Sequence, residues 1–364
     1  MKVAIAAGGT AGHVVPALAV ADALRADGAQ VEFVGGERAE AELVPAAGYS
    51  IHALRVAGID RRNPLRAARA AALAMRATGR ARRLLREIGA DVVVGGGGYV
   101  AGPVGLAARS LRLPLVLTEA DSHLGIANRL LAPLADKVFL AFPLEGRDGA
   151  RYEVVGRPIP AATLAADRAA ARRRFGIDPD EPCLLAFGGS LGARTVNEAA
   201  VEAFGAAAPC AVLHACGVRD HADLAARLER LGSPPHYRLH AYVEPFADAL
   251  AAADLVVGRS GGSVFEVAAA GLPSILVPYP SATADHQTLN ARHVEAAGAA
   301  VVVPDAELDG PRLAREVGAL LADPGRLRQM AAAARAVARP DAAERIARAV
   351  LELGGRGRGA GEGA

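Results

Sequence analysis

The chain has little cysteine, no long apolar run and almost no net charge, and each shortage excludes something. Cys183, Cys210 and Cys216 are its three cysteines, too few and too unevenly spaced for a disulfide framework or a zinc site. They read as reduced core thiols, which fits a cytosolic compartment. No stretch approaches the roughly 20 uninterrupted apolar residues of a spanning helix, because Arg, Asp or Glu breaks the alanine-rich segments every few positions. Met1-Lys2 runs straight into a strand-like segment, with no h-region and no cleavage site, so an integral membrane protein is not expected. The formal net charge is +2 and 52% of residues are apolar, the balance of an ordinary soluble globular protein rather than a disordered chain or a polyanion binder. No GxxxxGK(S/T) is present, which argues against a P-loop NTPase. Asp178-Pro179-Asp180 has the look of a metal-binding DxD but falls in a proline-containing turn before a strand. No metal and no cofactor is expected.

What is present is one phrase written twice. An apolar run, Val3–Ala7, leads into Gly8-Gly9-Thr10-Ala11-Gly12, and Leu184–Phe187 leads into Gly188-Gly189-Ser190-Leu191-Gly192, an offset of 188 − 8 = 180. Each reads as a buried strand, a glycine-rich turn and a helix start. Such a turn brings backbone N–H groups close to an anion, and the helix N-terminus adds partial positive charge. At 364 residues there is room for two domains, each with its own core. Strand-like runs alternate with helical patterns throughout, as in doubly wound α/β folds. In the first half they are Val3–Ala7, Val31–Val34, Val92–Val94, Leu115–Leu117, Val138–Leu140 and Val154-Val155. Gly156–Pro160 reads as a linker, placing the first domain at 1–157 and the second at 158–339. The second half has Leu184–Phe187, Ala211–His214, Arg238–Ala241, Leu255–Val257, Ser274–Val277 and Val301–Val303. A helix near 340–353 is expected to return to the first domain, and the glycine-rich 354–364 to be a disordered tail. Ligands of open α/β sheets sit at the carboxyl ends of the strands, where both glycine loops fall.

Several side chains there carry chemistry. His13 is a candidate general base on a sugar hydroxyl, a donor to phosphate, or a capping residue. Gly95-Gly96-Gly97-Gly98-Tyr99 after the Val92–Val94 strand is either a tight crossover or a second backbone-lined surface. At the end of the Leu115–Leu117 strand, Glu119 is a candidate acid or base. Asp121 and Asn128 are candidate hydroxyl binders, with Ser122 or Asp121 also suited to capping. Arg259-Ser260-Gly261-Gly262-Ser263, with Glu266 behind, suits a nucleoside diphosphate: Arg259 against phosphate, Glu266 on ribose hydroxyls. An Arg259–Glu266 salt bridge is the plainer alternative. Asp285–Ala291 offers amide and acid side chains to a sugar, with His286 as a solvated helix-start residue. From Arg61 to Arg86 there are nine arginines and no acid, interleaved with Leu65, Leu73, Met75, Leu84 and Leu85. Each basic residue near an anionic membrane contributes about 1 kcal/mol, and a solvated face normally carries both signs. A membrane surface is therefore expected; nucleic acid is not, since no aromatics interleave to stack bases.

These stretches together resemble the peptidoglycan N-acetylglucosaminyltransferase family of GT-B glycosyltransferases. The resemblance rests on Gly8–His13, Gly96–Pro103, Glu119 with Asn128, Gly188–Arg194, Arg259–Gly262 with Glu266, and Asp285–Ala291. It implies a GT-B fold, two doubly wound Rossmann-like domains whose parallel sheets face across a cleft. It also implies inverting transfer of GlcNAc from UDP-GlcNAc to the 4-hydroxyl of MurNAc in undecaprenyl-diphosphate-MurNAc-pentapeptide, without covalent intermediate or metal. The acceptor diphosphate would lie near Gly9, Gly98 and Tyr99, with His13 or Glu119 as base. The donor would meet Thr10, Gly12, Asn128, Ser190, Gly192, Val243 (by its backbone), Arg259, Gly262, Glu266 and Gln287. Arg69, Arg76 and Arg80 would dock on anionic inner-leaflet lipids, making the protein peripheral at the cytoplasmic face, beside other cell-wall synthesis proteins. The chain departs from the family pattern at Ala11, Thr118, Asp121 and Pro160, where Arg157 could replace a missing arginine, and is one residue shorter between Arg259 and Glu266. Other readings are a UDP-sugar 2-epimerase or a soluble-acceptor transferase, neither needing the basic patch, and a regulator that binds UDP-GlcNAc without turnover. A nicotinamide-dependent oxidoreductase is disfavoured because the first loop does not spell GxGxxG.

Overall fold

The structure, a computed structural model, describes residues 1–56, 64–189, 192–282 and 285–359, with the side chains of 64–74 and 356–359 outside the description. The chain divides into two units. One comprises Met1–Pro160 and the segment from Pro340 onward; the other is Ala161–Arg339.

The first unit is built on β1 (Lys2–Ala6), α1 (Ala11–Ala26), β2 (Gln30–Gly35), α2 (Ala39–Ala46), β3 (Ser50–Ala53), α3 (Pro64–Ile88), β4 (Val92–Gly95), α4 (Gly98–Ser110), β5 (Leu115–Glu119), α5 (Ile126–Leu131), β6 (Lys137–Leu140) and β7 (Tyr152–Val154). Its sheet is wholly parallel, in the order β3-β2-β1-β4-β5-β6-β7. Helices cover both faces, so the inner strands are continuous apolar runs rather than alternating ones. Alternate β1 residues still divide between two cores: Val3 and Ile5 pack with α1 and α2, Ala4 and Ala6 with α3 and α4. Strand β3 has no counterpart in the sequence reading. Ser50-Ile51-His52-Ala53 is a four-residue edge strand of mixed polarity, fixed by pairing to β2 and by a 2.5 Å contact of His52 Nε2 with Glu32 Oε2.

The second unit contains α6 (Ala161–Ala165), α7 (Arg168–Phe175), β8 (Cys183–Phe187), α8 (Arg194–Phe204), β9 (Ala211–Ala215), α9 (His221–Arg230), β10 (Tyr237–His240), α10 (Phe246–Ala252), β11 (Leu255–Gly258), α11 (Val264–Ala269), β12 (Ser274–Leu276), α12 (His286–Ala296), β13 (Ala300–Val302), α13 (Gly310–Leu321) and α14 (Pro324–Val337). Its six-stranded parallel sheet runs β10-β9-β8-β11-β12-β13. Asp309 and Asp323 cap α13 and α14, each accepting from the N–H three residues on, with proline early in the first turn.

Helix α15 (Ala342–Gly359) belongs to the first unit, where Ala342, Ile346, Ala347 and Val350 share a core with Val3, Ile5 and Val14. The expected tail from residue 354 is corrected here: the helix continues to Gly359. Gly354 is buried, and a Cβ there would lie 2.6 Å from Met1 Sδ. The glycine is a packing residue before it is a breaker. No helix among the described residues is long and apolar enough to cross a membrane. The three cysteines are free and buried, and burial pushes their thiols up, Cys183 to about 12.

Candidate functional sites at two sheet switch points

In both units the strand order reverses beside the first strand, between β1 and β4 and between β8 and β11. Doubly wound folds bind ligands at such points, outside the carboxyl ends of the strands. The four loops that leave these strands are the glycine-rich segments of the sequence. In none of the helices that follow (α1, α4, α8, α11) does the side chain of the residue before the helix cap it, so that residue leaves the first-turn amides to other acceptors.

At the first switch point the two glycine loops touch backbone to backbone. Gly98 has φ +77, and a Cβ there would sit 1.8 Å from the Gly8 carbonyl oxygen; at Gly97, φ +88, it would sit 2.7 Å from the His13 ring. The glycine run is thus demanded by close approach. His13 is half-buried, with Nδ1 3.2 Å from Thr10 Oγ1. Burial pushes its pKa below 6.5, with Asp121 and Glu40 opposing and Arg157 reinforcing, so the imidazole is neutral at pH 7. Thr10, Ala11 and Gly12 are exposed at the start of α1.

Four residues here carry contacts that the sequence reading did not foresee. Gly9 donates its N–H to Glu40 Oε2 at 2.8 Å, so that amide is already committed and is not offered to a diphosphate. Glu119 is 4% exposed. Its Oε2 accepts from Gly125 N–H (2.8 Å) and Asn128 Nδ2 (3.0 Å), and its Oε1 from Asp121 N–H (3.2 Å). Burial pushes its pKa up, partly offset by those donors, but both oxygens face the loop that they shape. Asn128 is equally buried, its Nδ2 shared between Glu119 and the Thr118 carbonyl. Both residues order the 120–128 loop; the Glu119 oxygens and Asn128 Nδ2 are taken up there, whereas Asn128 Oδ1 has no hydrogen-bond partner among the described residues. Arg157 is buried too. It donates to the carbonyls of Ala120 (3.0 Å) and Gly12 (2.6 Å), tying α1 to the loop after β5 instead of standing in for an arginine at position 160.

At the second switch point Ser190 lies outside the described residues. Gly192 has φ +77, and a Cβ there would meet the Cys216 carbonyl oxygen at 2.1 Å. That carbonyl accepts from Asn197 Nδ2 (2.9 Å), which also donates to Asp220 (2.9 Å). Since Nδ2 donates, Asn197 Oδ1 accepts from His214 Nε2 (3.0 Å), and His214 Nδ1 accepts from Tyr237 O–H (2.8 Å). Burial holds His214 neutral, its pKa down to about 3. Asp220 is held at about 2, chiefly by its hydrogen bond from Arg219.

Arg259 is buried but does not pair with Glu266. Its Nη1 donates to Asp305 Oδ1 (2.5 Å) and to the carbonyls of Val277 and Pro278. Thr195 donates to the other Asp305 oxygen at 3.3 Å. Ser260 Oγ donates to the Gln287 carbonyl (2.7 Å), Asn290 Nδ2 donates to the Ser260 carbonyl (3.0 Å), and Gln287 Oε1 accepts from Tyr279 N–H (3.0 Å). The Arg259–Ser263 loop and the Asp285–Ala291 segment, far apart in sequence, therefore form one surface that includes Gly262. Burial, then the charge of Glu244 and, less, that of Glu266, raise the Tyr242 hydroxyl; Val243 follows it, 3% exposed. Asp178–Asp180 is a closed turn: Asp180 N–H donates to Asp178 Oδ1, and Arg172 takes the 178, 179 and 181 carbonyls. Sequence reasoning missed Glu40, Asn197 and Asp305, because nothing in their spacing sets them apart from other polar helix and loop residues.

Residues 3–140 match the glycosyltransferase family 28 N-terminal domain and residues 183–346 its C-terminal domain. The UDP-N-acetylglucosamine–N-acetylmuramyl-(pentapeptide) pyrophosphoryl-undecaprenol N-acetylglucosamine transferase of Mycolicibacterium paratuberculosis is 44% identical over 97% of this chain and 89% of its own. The same-named protein of Acidithiobacillus ferrooxidans is 44% identical over 97% and 98%. The crystal structure of Acinetobacter baumannii MurG superposes with a TM-score of 0.75 at 30% identity, over 96% of this chain and 99% of that one. The chain belongs to the MurG family of glycosyltransferases. The UDP-GlcNAc 2-epimerase from Neisseria meningitidis, at 14% identity and a TM-score of 0.68 over 97% and 100%, shares the fold alone. MurG-family membership thus accounts for the GT-B pairing of two parallel-sheet units and makes this chain a glycosyltransferase.

Proposed function

We infer that the chain transfers GlcNAc from UDP-GlcNAc to the 4-hydroxyl of MurNAc in undecaprenyl-diphosphate-MurNAc-pentapeptide, with inversion. The observation that supports this most directly is the pair of glycine-lined switch points, one in each unit, in a chain 44% identical over nearly its whole length to transferases of that name. The first unit takes the acceptor diphosphate at the exposed Thr10–Gly12 amides and at Gly98 and Tyr99; Thr10 and Gly12, which the family resemblance assigned to the donor, are given to the acceptor here because the Gly9 amide is taken by Glu40. The second takes the donor, with Arg259 and the Gly188–Gly192 loop, Ser190 included, on the diphosphate. Glu266 binds ribose, the Val243 backbone uracil, and Gln287 with Gly262 the GlcNAc.

In this reading His13 is the base. With Thr10 Oγ1 accepting from Nδ1–H, Nε2 is unprotonated and takes the acceptor hydroxyl proton. The new bond forms between the acceptor oxygen and GlcNAc C1 as the C1–phosphate oxygen bond breaks, and negative charge builds on the departing UDP. Arg259 and the loop amides offset that charge, electrostatic work of the kind that usually dominates. Glu119 acts by shaping the loop that carries Asp121.

The protein sits peripherally on the anionic inner leaflet. Supporting this, Met75 on α3, Leu106 on α4, and Ile126, Leu130 and Leu134 on and after α5 are exposed. Arg76, Arg80, Arg82 and Arg83 are exposed among them. The Arg69 side chain lies outside the described residues. Apolar anchors within a basic field are the composition of a membrane-surface helix. Charge reversal of Arg76 and Arg80 should abolish binding to anionic vesicles; unchanged binding would refute membrane docking.

The deciding experiment measures UDP release from UDP-GlcNAc with and without a short-chain lipid-linked MurNAc-pentapeptide. Acceptor-dependent release with a disaccharide product is expected. Release without acceptor would replace this reading with hydrolysis or epimerisation.

A further inference from the structure

One buried charge in the first unit is used by none of the steps above. Glu40, the second residue of α2, is 0% exposed, a place where a carboxylate survives only when its oxygens are satisfied. Its Oε2 accepts from Gly9 N–H at 2.8 Å, and its Oε1 accepts from Gly36 N–H and from Tyr99 O–H, each at 2.9 Å. Three segments that end adjacent strands therefore converge on one side chain: the loop after β1, the turn after β2 and the first turn of α4. Burial opposes the charge, but these donors outweigh it and hold the carboxyl below its ordinary pKa, helped by its place at a helix N-terminus. Arg38 lies over the Tyr99 ring, 5.0 Å from its centroid, and closes the cluster on its outer side.

We propose that Glu40 is the positioning residue of the acceptor diphosphate site. By capturing the Gly9 amide it turns that N–H inward and leaves the exposed Thr10–Gly12 amides as the anion-facing set. By accepting from Tyr99 it clamps the second glycine loop to the first. A carboxylate that touches no substrate thus decides which backbone donors a diphosphate meets. The inference rests on the acceptor reading of the first unit.

The test is steady-state kinetics on the full chain, varying a short-chain lipid-linked acceptor and UDP-GlcNAc separately, for wild type, Glu40→Gln, Tyr99→Phe and the double variant, with Tm measured for each. In Glu40→Gln one oxygen becomes an N–H donor facing Gly9 or Gly36. The acceptor KM should rise about tenfold, a loss of about 1.4 kcal/mol of binding, while the donor KM stays within about twofold. The double variant should be little worse than Glu40→Gln alone, because both changes break one contact. Equal shifts in both KM values, additive effects, or an unchanged acceptor KM in a folded Glu40→Gln would overturn the proposal. Should Glu40→Gln fail to fold, an unchanged acceptor KM in Tyr99→Phe overturns it. A wild type without acceptor-dependent UDP release would instead remove the functional reading, and the proposal with it.

Discussion

The two copies of the glycine phrase fold differently. In the first unit α1 begins at Ala11, inside the phrase; in the second α8 begins at Arg194, three residues later than the 180-residue offset would put it (11 + 180 = 191). Gly12 is helical, whereas Gly192 has φ +77 and lies against the Cys216 carbonyl. The supports differ as well. A charged acceptor, Glu40, seizes a loop amide in the first unit. In the second a neutral donor, Asn197, holds a neighbouring carbonyl and is backed by His214 and Tyr237. A short motif therefore specifies a close-packed turn at a strand end, and the residues behind it specify which backbone groups of that turn are committed inside the fold.

The strongest way to break the comparison is to fill each loop. Gly98→Ala and Gly192→Ala each drive a Cβ into a carbonyl oxygen at positive φ. Each should abolish transfer and cost about 3 kcal/mol or more of stability in its own unit. Calorimetry separates them: Gly98→Ala should still bind UDP-GlcNAc and Gly192→Ala should not. Loss of UDP-GlcNAc binding in both would mean that the two units do not divide the substrates.

Arg259→Ala removes the cation from the second site and should lower kcat about 100-fold with little effect on the acceptor KM. A similar loss in Asp305→Ala, the partner of Arg259, would show that the arginine acts only when held in place. Asn197→Ala leaves the Cys216 carbonyl and His214 without their partner. It should destabilise the second unit by about 1–3 kcal/mol, read by urea denaturation, and raise the donor KM alone.

Two pH effects distinguish the histidines. His214 has a folded pKa of about 3 against 6.5 unfolded, so the unfolded chain binds the extra proton between these values. The contribution of neutral burial is present above pH 6.5 and is lost as pH falls through the window, by up to about 1.4 kcal/mol per pH unit. Urea midpoints from pH 7 to 4 should show this slope, and His214→Gln should flatten it. The smallest effect concerns His13, whose pKa is lowered by burial and raised by Asp121. A base must be unprotonated, so kcat/KM should fall as pH drops through a value below 6.5. Asp121→Asn should move that limb to still lower pH. An acid limb unchanged in His13→Ala would assign the base elsewhere.

Much of this was legible in the chain. Central strands such as Val92–Val94 and Leu255–Val257 announce themselves as apolar runs because helices cover both faces of a parallel sheet, and glycine clusters mark their ends because backbone must approach backbone there. Edge strand β3 was not legible, since exposed Ser50 and half-buried His52 owe their extended form to pairing with β2. The loop contacts of Glu119 and Asn128 were not legible for a related reason: polar residues at a strand end look alike whether they face a ligand or their own loop.

The sequence by itself determined which segments are buried, where the glycine-rich turns at the strand ends fall, and which family's phrases they spell. Only the tertiary structure decided which polar groups remain available. Availability is a matter of hydrogen-bond accounting among residues distant in the chain, such as Glu40 with Gly9 and Tyr99, or Arg157 with Gly12 and Ala120. A donor or acceptor satisfied inside the fold has little left to offer a substrate.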